Sequence, residues 1–130
     1  MRKILVVDDS VFVCNALRRD LRRAGFDTVT TSSGWAALSM VQAGDIDAVI
    51  TDLTMPAMDG EELVERMALL APDIPCVVVT GYVTRKQVVS LSRRPNVFGI
   101  LVKPWESPRL INTINAALDD TKVLHESLQG

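Results

Sequence analysis

Three carboxylates, a hydroxyl and an ammonium close apolar runs along this 130-residue chain. Asp8 and Asp9 end "ILVVDD", Asp52 ends "AVITD", Thr80 ends "CVVVT" and Lys103 ends "GILVK". Two adjacent carboxylates at the tip of a strand repel each other unless a cation lies between them. Three such groups suit Mg²⁺, which is typically held by one or two carboxylates and a phosphate while keeping several waters. A lysine beside them completes a clamp for phosphoryl oxygens. Asp52 is then the candidate nucleophile, because carboxylates form acyl phosphates. Taken alone, "DDS" at 8–10 fits a plainer role equally well, the N-cap of the helix that follows. The chain has neither a Walker-type loop nor Gly-x-Gly-x-x-Gly, so a phosphoryl donor must come from elsewhere. The run "DLT" after the third strand also departs from the Asp-x-Asp of aspartyl-phosphate hydrolases.

Alternating strands and helices must bring these residues together. "KILVVDD", the more polar "DTVTTSS", "DAVITDL", "IPCVVVTG" and "VFGILVKP" read as strands, the second near a sheet edge. Between them "VFVCNALRRDLRRAG" is an amphipathic helix with Cys14, Leu17, Leu21 and Ala24 at core spacing. "GWAALSMVQAG", "EELVERMALLA" and "VTRKQVVSLSRR" are further helices. "SPRLINTINAALDD" opens the last one, with Ser107 as its expected cap and Pro108 in the first turn. This alternation predicts an α/β fold, a parallel sheet with helices on both faces. Ligands of such sheets bind beyond the carboxyl ends of the strands, where all five polar residues fall.

Composition fits one globular domain, with 48% apolar and 23% charged residues and a net charge of −2. No basic excess suggests direct nucleic-acid binding. No apolar run approaches the roughly 20 residues of a membrane span, and a cytoplasmic location is expected. Cys14 and Cys76 show neither metal-ligand spacing nor a disulfide framework and read as small core residues.

"VVDDS", "DLTMPAMDG", "VVVTG" and "VKP", in that order, resemble the receiver domain of bacterial two-component response regulators. The likeness covers residues 3 to about 119 and implies a doubly wound five-stranded sheet of order 2-1-3-4-5, the flavodoxin-like order. It implies a domain over 1–119, with 120–130 a helical extension or the start of a linker. By the same resemblance Asp52 is the phosphoacceptor. Mg²⁺ lies on Asp9, Asp52 and the Thr54 backbone carbonyl, with Asp8 acting mainly through water. Lys103 contacts the phosphoryl oxygens, Thr80 moves to bond them, and the Lys103–Pro104 peptide is cis. The domain is a switch rather than an enzyme. Its implied partners are a histidine kinase or histidine phosphotransfer protein and an output domain or downstream protein. Alternatives are a receiver-like module that signals by binding without phosphorylation, or the regulatory domain of a larger catalytic signalling protein.

The chain departs from the family at two places. Ile100 occupies a position where Tyr or Phe is usual, and Phe98, two residues earlier and so on the same strand face, is a candidate substitute. Trp105 follows Pro104 where Phe is commoner. Arg18, Arg19, Arg22 and Arg23 form either a solvated face or a docking site for a phosphotransfer helix bundle. Gly60 is expected to supply the turn that starts a helix, and His125 to be a tail residue. Leu110, Ile114, Ala117, Thr121, Leu124 and Leu128 recur at heptad spacing; a receiver's own core uses only the first part of that stripe, so Leu124 and Leu128 suggest a connector or homodimer seam through the last helix.

Overall fold

Strands with apolar residues on both faces need cover on both sides, and the order of the elements provides it. The computed structural model describes the backbone of residues 1–129 and the side chains of residues 1–119. Strands β1 (Lys3–Val7), β2 (Asp27–Thr31), β3 (Ala48–Thr51), β4 (Cys76–Thr80) and β5 (Val97–Val102) form one parallel sheet in the order β2-β1-β3-β4-β5. Helices α1 (Val11–Arg23), α2 (Gly34–Ala43), α3 (Gly60–Leu70), α4 (Arg85–Ser92) and α5 (Ser107–Gln129) connect and follow the strands. This is the expected doubly wound architecture, with polar β2 at one edge. None of these helices is long and apolar enough to cross a membrane among the described residues.

Side-chain alternation along the strands divides the core. Ile4, Val6, Ile50, Val77 and Val79 pack with Leu17 and Leu21 of α1 and with Leu110 and Ile114 of α5. On the opposite face Leu5, Val7 and Val49 meet Leu38, Leu63, Val64 and Met67 of α2 and α3. Val78 and Leu53 meet Leu91 of α4. Cys76 is fully buried, which pushes its thiol up to about 12, whereas Cys14, on α1, is half-buried against the core; both are free thiols. Ala24, expected in the core stripe, is exposed because it is the C-cap of α1, where the chain turns away through Gly25 at φ +91°.

Local capping sets where the helices begin. Ser10, Ser33, Asp59 and Thr84 each accept a bond from the backbone N–H three residues on, and Gln87 returns a bond to Thr84 to close a capping box. Ser107 does not cap α5. It is the first helical residue, Glu106 supplies the carbonyl that accepts from the Leu110 amide, and the Ser107 hydroxyl donates to Asp20 instead.

Strand β5 corrects a third expectation. Cys76 pairs with Val97 but Val77 pairs with Gly99, so Phe98 is the extra residue of a β-bulge. The bulge reverses the alternation. Phe98 consequently packs with the α1 and α5 core while Ile100 packs with Leu53, Val78 and Leu91, and the two lie on opposite faces.

Gly60 does open α3, but the stronger demand on it is steric. Its amide donates to the Leu53 carbonyl at 2.9 Å, and an added Cβ would collide with the Asp52 carbonyl oxygen and lie 2.8 Å from Leu53 Cα. Backbone atoms cannot swing aside as a side chain can. Gly60→Ala should therefore lower stability by about 1–3 kcal/mol, read from urea midpoints. Gly81→Ala, whose Cβ would meet nothing within 4 Å, should stay close to wild type.

Candidate functional site

The carboxyl ends of β1, β3, β4 and β5 converge at the gap that the strand order leaves beside β1. Val7 is followed by Asp8 and Asp9, Thr51 by Asp52, and Val102 by Lys103, while Thr80 is the last residue of β4. Carboxylate oxygens of Asp8, Asp9 and Asp52 lie within 4.8 Å of one another. Asp8 and Asp52 are buried and Asp9 is exposed, so the cluster is open to solvent on one side. The Lys103 ammonium reaches Asp8 Oδ2 at 2.8 Å and Asp52 Oδ2 at 3.0 Å.

Backbone donors hold the other oxygens. Asp52 Oδ1 accepts from the Leu53 amide at 2.7 Å and, more weakly, from the Thr54 amide at 3.4 Å. Asp8 Oδ1 accepts from the Ser10 amide at 2.8 Å. The two readings of "DDS" are both realised by different residues: Ser10 caps α1 and the carboxylates face the cluster. Burial raises the Asp52 pKa, yet the Thr80 hydroxyl and the Lys103 ammonium outweigh it and hold the carboxyl below its ordinary range. Burial likewise opposes the charge on Lys103, and Asp8 with Asp52 reverses this to hold its pKa above the usual lysine value.

The remaining expected residues are placed less uniformly. Thr80 is buried, and its hydroxyl oxygen lies 3.3 Å from the Tyr82 carbonyl while also near the Asp52 carboxylate, so its one proton has two competing acceptors. Thr54 is exposed two residues past Asp52, and the Lys103–Pro104 peptide is cis. The arginine group divides: Arg18 donates to Thr30 Oγ1 at 3.0 Å, tying α1 to the edge strand, whereas Arg19, Arg22 and Arg23 are exposed. Asp20, which no motif singles out, accepts bonds from Trp105 Nε1 at 2.9 Å and Ser107 Oγ at 2.8 Å. The one signal for it was an acidic residue among four arginines near the end of a helix, where the macrodipole disfavours it.

A doubly wound sheet with an acidic cluster and a lysine at its strand tips defines the class of phosphoryl-accepting switch domains. Residues 4–115 match the response regulator receiver domain, and the chain belongs to that family. It is 33% identical over 119 residues to the DNA-binding transcriptional regulator NtrC of Rhizobium meliloti, covering 92% of this chain and 24% of that protein. It is also 33% identical to the transcriptional regulatory protein ZraR of Salmonella typhimurium, covering 92% of this chain and 27% of that protein. The chain thus spans about a quarter of the length of these relatives. A response regulator receiver domain protein from Clostridium thermocellum superimposes with a TM-score of 0.85 at 28% identity, covering 95% of this chain and 99% of the other.

Electrostatics of the clamp predict a pH signature in the metal-free protein. Because the Asp52 pKa is lowered on folding, its ionised form contributes stability above the ordinary carboxylate range, and this is lost as pH falls through the lowered value. Lys103→Met removes one of the groups that favour the ionised carboxyl, so the Asp52 pKa rises and less of that stability remains near neutral pH. The wild-type advantage should be about 1–3 kcal/mol near pH 7 and should shrink on acidification. Urea midpoints of both proteins at about pH 3 to 7 check this. A gap independent of pH would reduce the role of Lys103 to packing.

Proposed function

We propose that this chain takes a phosphoryl group onto Asp52 and changes conformation in response. The observation that carries the reading is the Asp52 carboxylate, paired with the Lys103 ammonium and clustered with the carboxylates of Asp8 and Asp9. A carboxylate oxygen of Asp52 attacks phosphorus, the bond from phosphorus to the donor's imidazole nitrogen breaks, and the imidazole leaves with its electron pair. Lys103 neutralises charge on the transferring oxygens. The donor set, hard oxygens with one side open, fits Mg²⁺. Asp8, Asp9, Asp52 and the Thr54 carbonyl would hold it, and when bound it would neutralise phosphoryl charge.

The switch follows from the present partner of Thr80. Its hydroxyl would turn from the Tyr82 carbonyl to a phosphoryl oxygen, freeing the turn between β4 and α4. With Ile100 packed under α4 and Phe98 on the other face, that turn is the moving part, and no aromatic ring on β5 is needed. The donor would be a histidine kinase or a histidine phosphotransfer protein. Exposed Phe12, next to the acidic cluster at the start of α1, offers an apolar contact for it. Much longer regulator relatives support an output carried by another domain or protein.

Incubation with acetyl phosphate and Mg²⁺ should add one phosphoryl group by intact mass. Asp52→Asn or chelation of the cation should abolish the adduct, and an equal adduct in the variant would move the acceptor elsewhere. We further propose the domain as 1–119, with the continuation of α5 a linker or homodimer seam. The side chains of Thr121, Leu124 and Leu128, which bear on that seam, and of the expected tail residue His125 lie outside the described ones. Sedimentation of the full chain against one ending at Asp120 should show self-association only in the full chain. Monomers in both would leave the extension as a tail.

A further inference from the structure

We infer that Asp20 is a positioning residue that holds Lys103 in place through Trp105 and Ser107. This inference rests on the phosphoryl-accepting reading above. Asp20 lies in the last turn of α1, where unpaired helix carbonyls disfavour a carboxylate, and aspartate is a weak helix former. Its compensation is tertiary. Asp20 Oδ2 accepts from both Trp105 Nε1 and Ser107 Oγ, which stand two and four residues past Lys103.

The two bonds pin the turn between β5 and α5 at its far side. On the near side the Lys103 amide donates to the Thr80 carbonyl at 2.8 Å. The Trp105 ring packs on the core that contains Leu17 and Leu21, so the same helix supports the turn by apolar contact as well. A lysine side chain has many rotamers to lose, and its ammonium can be held between Asp8 and Asp52 only if its backbone is fixed. One helix therefore serves both partners of the ion pair. Its start fixes Asp8 through the Ser10 amide and a 3.4 Å bond from Cys14 Sγ to the Asp8 carbonyl, and its end fixes the turn that follows the lysine. Asp20 touches no reacting group and acts through its two donors.

The test compares Asp20→Ala and Asp20→Asn with wild type in phosphorylation by acetyl phosphate across a range of Mg²⁺ concentrations. Asp20→Ala should slow the rate at saturating Mg²⁺ about tenfold, as a small displacement of a catalytic group can. The half-saturating Mg²⁺ concentration should not rise, because a looser lysine competes less for the same carboxylates. Asp20→Asn keeps an acceptor oxygen and should restore most of the rate. Hydrogen exchange without metal should show the Lys103 amide opening faster in Asp20→Ala while β1 and β3 amides keep their protection. If Asp20→Ala does not fold, Trp105→Phe combined with Ser107→Ala removes the same two donors and should give the same pattern. A wild-type rate in Asp20→Ala would overturn the inference. So would a rise in half-saturating Mg²⁺, which marks general loosening, or an Asp20→Asn as slow as Asp20→Ala. If wild type itself forms no adduct on Asp52, the functional reading fails instead, and the exchange measurement alone decides the clamp.

Discussion

The ion pair of Lys103 with Asp8 and Asp52 is the constraint from which the arrangement of this domain follows. Three carboxylates at the tips of neighbouring strands repel one another, and burial of two of them sharpens the repulsion by lowering the local dielectric. One ammonium bridging two of these groups makes the cluster tolerable. The ammonium has to arrive from the far edge of the sheet, because Lys103 follows β5 while Asp8 follows β1. The pairing thus spans the sheet from its edge strand to its centre and depends on every strand between them.

Most of this was legible in the sequence because it is written in short-range patterns. Apolar β-branched runs marked the strands, and their polar last residues marked the site. What escaped was tertiary. Asp20 carries no local signature of its partners, since Trp105 and Ser107 lie 85 and 87 residues away. Serine before proline at a helix start predicts a cap at Ser107, yet its hydroxyl donates to Asp20. Phe98 leaves its expected face for a different reason. Strand periodicity assumes an unbroken ladder, and a bulge is visible only in the pairing with β4.

Gly60 shows how closely the acidic loop is wound. The entry to α3 presses on the backbone of Asp52 itself, so the segment between β3 and α3 is fastened at both ends. Within it Met55 and Met58 are buried, and Met58 lies against Gly34 at the start of α2. The loop is thereby anchored in the core on one side and open at Thr54 on the other. Such anchoring lets a charged group at the strand tip keep its orientation while its neighbours exchange partners.

The bulge in β5 has a consequence unrelated to signalling. An open sheet exposes unpaired amides and carbonyls along its two outer strands, which can recruit a strand from another molecule and begin a fibre. Here one rim is a short run of threonines crossed by Arg18, and the other is bent out of register by Phe98. Neither offers a long flat template for foreign strands. For a family whose members occur within much longer polypeptides, this lowers the chance that nascent or crowded copies exchange strands before each has closed on itself.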